Sequence, residues 1–171
     1  MITDQIASTC ADPSDRRVTS GDTLKLPAEA DVGRTTTWHL PSGDTTFRVT
    51  ARFLGVSTSY VPQHNHPTNR AARQDERCRG CRWFEPRIFR EVDGQRRYLV
   101  HRTGRSLVEG EVSYTSHEWV HGAHEVVEVL TTRRNGKHNL PHLTHPAARV
   151  LAMAASYDVD LRDAYVNRAV A

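Results

Sequence analysis

The sequence has no long apolar run. None of its segments approaches the roughly 18 consecutive apolar residues that a membrane span needs, and residues 1–17 contain no apolar core of a secretory signal. We therefore expect a protein without a membrane partner that acts in the cytoplasm. Hydrophobic residues make up 37 % of the 171 residues, and a chain of this length can still form one domain with its own core.

Cysteine is scarce as well. The chain has three cysteines, and a small, odd number argues against a disulfide framework. Cys78 and Cys81 are separated by two residues, a spacing that in a reducing compartment indicates metal binding or redox activity. Cys10 lies in a polar N-terminal segment rich in Asp, Ser and Thr, so we expect no role for it.

Lysine is almost absent, with two Lys against 21 Arg. Between residues 70 and 105 the chain carries eleven Arg, no Lys and five acids, an excess of six positive charges. Such a block favours contact with nucleic acid or with an acidic surface of a host protein. The competing interpretation is a solvated, Arg-rich face of a sheet. The candidate contact residues are Arg70, Arg73, Arg77, Arg79 and Arg82.

The first two-thirds of the chain are rich in β-forming residues. Phe47, Val49, Ala51 and Phe53 alternate with polar residues, a period of two that predicts a half-buried strand. Turn residues, such as the Asp-Gly pair at 93–94, separate further runs of this kind. The pattern predicts an antiparallel sheet over residues 35–114, with strands at 35–40, 45–56, 82–92, 96–102 and 108–114.

Helical patterns follow the predicted sheet. We expect a helix over residues 123–134, in which Val126, Val127 and Leu130 form an apolar stripe. A second helix is expected over residues 144–156, capped by Thr144. A last short helix would be capped by Asp158 or Asp160. The predicted fold class is therefore α+β, with two or three C-terminal helices. We expect residues 1–22 to form a flexible tail and residues 23–171 a single domain.

A zinc site is the best-supported chemical feature. His64 and His66 precede Cys78 and Cys81 by eleven intervening residues, and two imidazoles with two thiolates make a common closed, structural zinc site. Gly80 suits the tight turn that aims both sulfurs at one ion. The ligand order is the reverse of the usual zinc finger. The alternative is a pair of free thiols with surface histidines.

A second motif competes with this interpretation. Residues 117–121 spell His-Glu-X-X-His and in these five residues resemble zinc metallopeptidases of the zincin type. On a helix, His117 and His121 would share a face and bind zinc, with Glu118 as general base. A third ligand would come from His124, Glu125 or His145. Gly122 weakens a helix at this point, and Ser116 could cap a helix that begins at His117. We therefore expect His117 at a strand end or at a helix start, with its ring too far from that of His121 to share one zinc ion.

Four segments carry a further pattern: the His-X-His-Pro run at 64–67, the Cys-X-X-Cys-Arg-Trp-Phe-Glu run at 78–85, Tyr-Leu-Val-His at 98–101 and the C-terminal residues 163–171. Together they resemble small uncharacterised proteins of actinobacteria and their phages. The resemblance covers residues 64–171 and carries no assigned activity. It implies a phage or mobile-element accessory protein that acts inside a bacterial host.

These observations leave three functions open. The first is a zinc-stabilised binding or regulatory protein that acts on a host macromolecule, and we favour it over the other two. The second is a zinc-dependent metallopeptidase built on Glu118. The third is a nucleic-acid-binding protein, since residues 147–165 suit two helices joined by a short turn, although Asp160 and Asp163 oppose phosphate contact by the second helix.

Replacing either paired cysteine tests the zinc site. We expect Cys78→Ser or Cys81→Ser to lose the metal and to lower the free energy of unfolding by several kcal/mol, because binding of a structural metal contributes directly to folding. Native mass spectrometry with metal analysis should find one zinc per chain in the parent. Cys10→Ser is the control and should retain both metal and stability. If the Cys78 and Cys10 variants melt like the parent, with and without a chelator, the prediction is wrong.

Overall fold

The computed structural model of this protein describes residues 26–60, 82–106, 112–133 and 141–168. Within these ranges five strands form one antiparallel sheet, and three helices follow it, which confirms the α+β class. The strands are β1 Thr35–Ser42, β2 Thr45–Val56, β3 Arg82–Glu91, β4 Tyr98–Ser106 and β5 Tyr114–Val120.

The helical part follows β5. It comprises α1 Ala123–Leu130, two short paired strands, β6 Thr131–Arg133 and β7 Pro141–Leu143, then α2 His145–Ala155 and α3 Val159–Arg168. A short 3₁₀ turn, Glu29–Asp31, precedes the sheet. In the described ranges no helix is both long and apolar enough to cross a membrane.

The sheet is a meander that curls until its two edge strands meet. The strand order is β1-β2-β3-β4-β5, and the end of β1 reaches the start of β5. There the backbone N–H of Gly43 donates to the hydroxyl of Thr115 at 3.0 Å, and Ser42 Oγ lies 2.8 Å from His117 Nδ1. The curl gives the sheet a concave inner face and a convex outer face.

The inner face carries an aromatic core. Trp38, Phe53 and Phe89 pack together, with ring centroids 4.9 to 6.1 Å apart, and Leu40 and Leu99 are fully buried beside them. The Trp38 indole N–H donates to the carbonyl of Ala51 at 2.9 Å. This bond satisfies the polar end of a large apolar side chain.

The outer face carries a second core, against the helices. Ile88 and Val100 lie on this face and belong to the same cluster as residues of all three helices. The buried helix residues are Ala123, Val126, Val127 and Leu130 of α1, Ala147, Val150, Leu151 and Ala154 of α2, and Leu161 and Ala164 of α3. The apolar stripe predicted for α1 is thus confirmed.

Several predicted boundaries are wrong, and β4 for example ends at Ser106 instead of residue 102. The last strand of the sheet occupies Tyr114–Val120 instead of ending at Tyr114, because pairing with β4 and burial of Val120 outweigh the polar residues in the segment. Helix α1 ends at Leu130 instead of residue 134. The β-branched Thr131 begins β6 there, and its hydroxyl donates to the carbonyl of Val127 at 2.7 Å.

Asp158 fastens the last helix to the sheet. Its buried carboxylate accepts hydrogen bonds from the Tyr98 hydroxyl at 3.0 Å and from Arg90 at 2.5 Å. It also accepts the backbone N–H of Leu161 at 3.0 Å and so caps α3. Of the two caps that the sequence proposes, the structure selects Asp158. Asp160 pairs with Arg90 at 2.8 Å from the surface instead.

Asp158→Ala should therefore lower the free energy of unfolding by about 3 kcal/mol, because it breaks a buried ion pair and leaves the Tyr98 hydroxyl without its acceptor. The other acidic partner of Arg90, Asp160, is 55 % exposed. Asp160→Ala should therefore lower the free energy of unfolding by less than about 1 kcal/mol. Urea unfolding of both variants measures the difference. Equal costs would contradict the role given to Asp158.

Candidate functional site

Most residues predicted to bind metal or a polyanion lie outside the described ranges. These are the four zinc ligands His64, His66, Cys78 and Cys81, and the arginines Arg70, Arg73, Arg77 and Arg79. Arg82, the remaining member of the predicted patch, is the first residue of β3 and follows Cys81 directly in the chain. The zinc site therefore remains a prediction from the sequence.

The His-Glu-X-X-His segment lies on a strand. His117 and Glu118 are consecutive residues of β5 and point to opposite faces of the sheet, while His121 lies beyond the end of the strand. His117 lies within β5, and neither at a strand end nor at a helix start as expected, because Ser116 and His117 pair with Arg102 and His101 inside the sheet. The structure therefore lacks the shared helix face that the metallopeptidase motif requires.

The side chains of this segment make local contacts. The His117 ring packs against Phe47 with centroids 4.4 Å apart. Glu118 pairs with Arg102 at 3.4 Å, and the carboxylate of Glu125 accepts the backbone N–H of His121 at 3.1 Å.

The other proposed third ligands do not join this segment. His124 and His145 are exposed, on α1 and at the start of α2. Among the described residues no group of three or more His, Cys, Asp or Glu side chains is arranged to hold a metal ion.

The arginines of the basic block have acidic partners. Seven of the eleven lie in described residues, and at least five of these form ion pairs. The pairs are Arg87–Glu85, Arg90–Asp158, Arg97–Glu91, Arg102–Glu118 and Arg105–Glu85. Glu118 and Asp158 come from outside residues 70–105, so the fold lowers the charge excess that the sequence shows for this block.

One of these networks is buried on the inner face. Glu85 accepts hydrogen bonds from the Trp83 indole at 2.9 Å, from Arg87 at 3.0 Å and from Arg105 at 3.4 Å. Arg87 also donates to the hydroxyl of Thr103 at 3.2 Å. Burial by itself would raise the pKa of Glu85, but the Trp83 hydrogen bond and the charges of Arg87 and Arg105 together hold that pKa below its ordinary value. Glu85 therefore stays ionised and satisfied.

His101 lies beside this network and is fully buried. Its Nε2 lies 2.8 Å from the carbonyl of Pro41, which can only accept, so Nε2 carries the proton. The other ring nitrogen, Nδ1, is buried without a partner. Burial, followed by the charges of Arg87 and His117, lowers the pKa of His101 to about 4.

An open cavity of about 320 Å³ lies where β3 begins and β4 ends, at the lower end of the size range of ligand sites. Its walls combine aromatic and cationic side chains. They include Arg82, Trp83, Phe84, Arg105 and Tyr114. The exposed Val112 stands at its rim. We call this region the Arg82 end of the sheet.

Three residues form a row across the Arg82 end. Phe84 of β3 pairs with Gly104 of β4, and Gly104 pairs with Tyr114 of β5. By strand alternation all three belong to the outer face that carries Val100. The Tyr114 ring lies over Gly104, because a Cβ at residue 104 would overlap that ring. Tyr114 nevertheless remains 60 % exposed.

The sequence pattern did not identify this row. None of Phe84, Gly104 and Tyr114 was a candidate site residue. The available signal was a glycine inside a strand, which often marks a close approach by another group. The approaching group is an aromatic ring on a neighbouring strand, and its identity depends on the register of β5.

Comparison with family models, curated proteins and solved structures finds no match to this chain.

The buried His101 predicts a pH dependence of stability. Its pKa is lowered in the folded state, so the unfolded chain binds more protons and stability falls as pH decreases from about 6.5 to about 4. The loss amounts to about 3 kcal/mol over this window. His101→Gln, whose amide N–H can still donate to Pro41, should flatten this part of the pH profile in urea unfolding.

His124→Gln is the matched control, since it removes an exposed histidine from α1. The role of His101 is disproved if both variants keep the slope of the parent between pH 6.5 and pH 4. A fall in stability below pH 4 in all three proteins is expected from the carboxylates and does not bear on His101.

Proposed function

We propose that this protein is a small, zinc-stabilised binding protein whose contact surface is the Arg82 end of the sheet. The observation that carries the proposal is the cavity lined by Trp83, Phe84 and Tyr114 together with Arg82 and Arg105. Aromatic and arginine side chains are the residue types most enriched where proteins bind partners. Exposed apolar side chains at the rim, such as Val112, add to this character.

The contacts between the residues on either side of 61–81 support a structural role for zinc. Ser59 and Phe84 exchange two hydrogen bonds, at 3.0 Å between their backbones and at 2.8 Å through the serine hydroxyl. Tyr60 packs on Trp83 with ring centroids 4.8 Å apart. The residues that follow β2 and the first residues of β3 are therefore neighbours in space. A metal held by residues between these points would fix a segment that borders the contact surface.

The donor set suits a structural ion. Two thiolates and two imidazoles fill the tetrahedral coordination of zinc and leave no open position for a water. Such a site contributes folding free energy and no chemistry of its own. We therefore assign the protein to the binding class instead of the hydrolases, and the position of His117 on β5 gives the metallopeptidase alternative no further support.

The partner that we propose is a polyanion in the cytoplasm of a bacterial host, either a nucleic acid or an acidic protein surface. The excess of arginine in residues 70–105 and the guanidinium groups at the cavity favour a negative partner. The role of a phage or mobile-element accessory protein is part of the same proposal and depends on the resemblance described above.

Binding of duplex DNA tests the charge component. We expect weak binding without sequence preference that fades between roughly 50 mM and 200 mM salt, because it depends on counterion release. Arg82→Gln should weaken the binding and reduce the salt slope by about one. Fluorescence anisotropy with labelled random duplexes measures both quantities.

Arg149→Gln, an exposed arginine on α2, is the matched control and should bind like the parent. Tight, sequence-selective binding that persists at the higher salt concentration would contradict the proposal of a non-specific contact. Absence of binding at both salt concentrations would contradict a nucleic acid partner.

A further inference from the structure

We infer that the Arg82 end of the sheet binds single-stranded nucleic acid by stacking a base on Tyr114 beside Phe84. The inference rests on the proposed binding function and names its ligand class. It depends on the row of Phe84, Gly104 and Tyr114 across three neighbouring strands, and on the cavity that this row borders.

Gly104 allows Tyr114 to act as a platform. A side chain at residue 104 would occupy the place of the tyrosine ring, so only glycine lets the ring lie across β4. The ring is held against the backbone on one side, while 60 % of the residue stays exposed. An aromatic ring fixed in this way offers a surface to a planar group at little cost in side-chain entropy.

Phe84 extends the aromatic surface. Gly104 of β4 pairs with Phe84 of β3 on one side and with Tyr114 of β5 on the other. The rings of Phe84 and Tyr114 line the same cavity. Alternate aromatic side chains on a sheet are the arrangement on which successive bases stack in sequence-tolerant binding of single strands. A paired base in a duplex does not offer its ring faces for such stacking, so a single strand is the better ligand.

The charges around the row suit a phosphate backbone. Arg82 lines the cavity on the outer face. Arg105 also borders the cavity, and its charge is shared with Glu85 of the inner-face network. Guanidinium groups beside aromatic rings combine phosphate contact with stacking. An acidic peptide would use these charges but would gain nothing from the planar surface, so we place the single strand first.

The test compares three ligands of about ten nucleotides by fluorescence anisotropy with the zinc-loaded full chain. They are oligothymidine, an abasic strand with the same number of phosphates, and a duplex. We expect oligothymidine to bind at least about fivefold more tightly than the abasic strand, because stacking of a base contributes beyond the phosphate contacts. An acidic peptide of equal charge serves as the fourth probe.

Variants of the row locate the contact. Tyr114→Leu should weaken oligothymidine binding at least about fivefold and leave abasic binding unchanged, whereas Tyr114→Phe should bind like the parent. Gly104→Ala should resemble Tyr114→Leu, because the added Cβ displaces the ring. Tyr157→Leu, which removes another tyrosine that is 43 % exposed, is the matched control. Circular dichroism checks that each variant is folded.

The outcomes separate the inference from the proposed function. If oligothymidine and the abasic strand bind equally well and Tyr114→Leu has no effect, base stacking is overturned. The proposal of a polyanion partner is then decided separately, by the effect of Arg82→Gln. Tighter binding of the acidic peptide than of oligothymidine also overturns the inference and names a protein partner. If no probe binds while the chain still holds one zinc, both the inference and the polyanion partner are wrong.

Discussion

Alternation along β4 is the constraint on which the structure depends. Tyr98 and Val100 face the helices, whereas Leu99 and His101 face the interior of the curled sheet, and all four are buried. One strand thus belongs to two cores, so a shift of its register by one residue would exchange the two sets. The positions of β3, β5 and the helices all follow from this register.

The buried polar groups on the inner face divide the molecule into two ends. Towards Trp38 and Phe89 the interior is aromatic and closed, and towards Trp83 it contains Glu85 and Arg87 in a satisfied ionic network. Removing water from such a network costs free energy that its internal bonds only partly return. Its place below the cavity suggests that it holds Trp83 and Arg105 at the contact surface, in addition to filling the interior.

The two halves of the proposed function meet at the start of β3. Cys81 and Arg82 are adjacent in the chain. The proposed zinc site in residues 64–81 and the proposed contact surface at residue 82 are therefore both next to the start of β3. Among the residues that the structure describes, the helices are fastened by Asp158 to the opposite end of β3 and β4 and do not cover this end of the outer face. A fixed scaffold with an exposed rim is the arrangement expected of a binding protein.

The sequence by itself determined the features that depend on neighbours in the chain. Alternation from Phe47 to Phe53 identified strand β2, and the apolar stripe of α1 identified its buried face. For the cap of α3 the sequence narrowed the choice to Asp158 or Asp160, and the structure selects Asp158. Local hydrogen bonding and side-chain periodicity are sufficient for these.

Only the tertiary structure decided the rest. Strand β5 carries polar residues on both faces, so its sequence shows no alternation of apolar and polar residues. Only its pairing with β4 places His117 and Glu118 in a strand. The ion pairs of Arg90 and Arg102 use acids from distant segments, which a count of local charge cannot include. The row of Phe84, Gly104 and Tyr114 joins three strands, and its existence depends on register, which is fixed by burial of both faces of the sheet and not by any one segment.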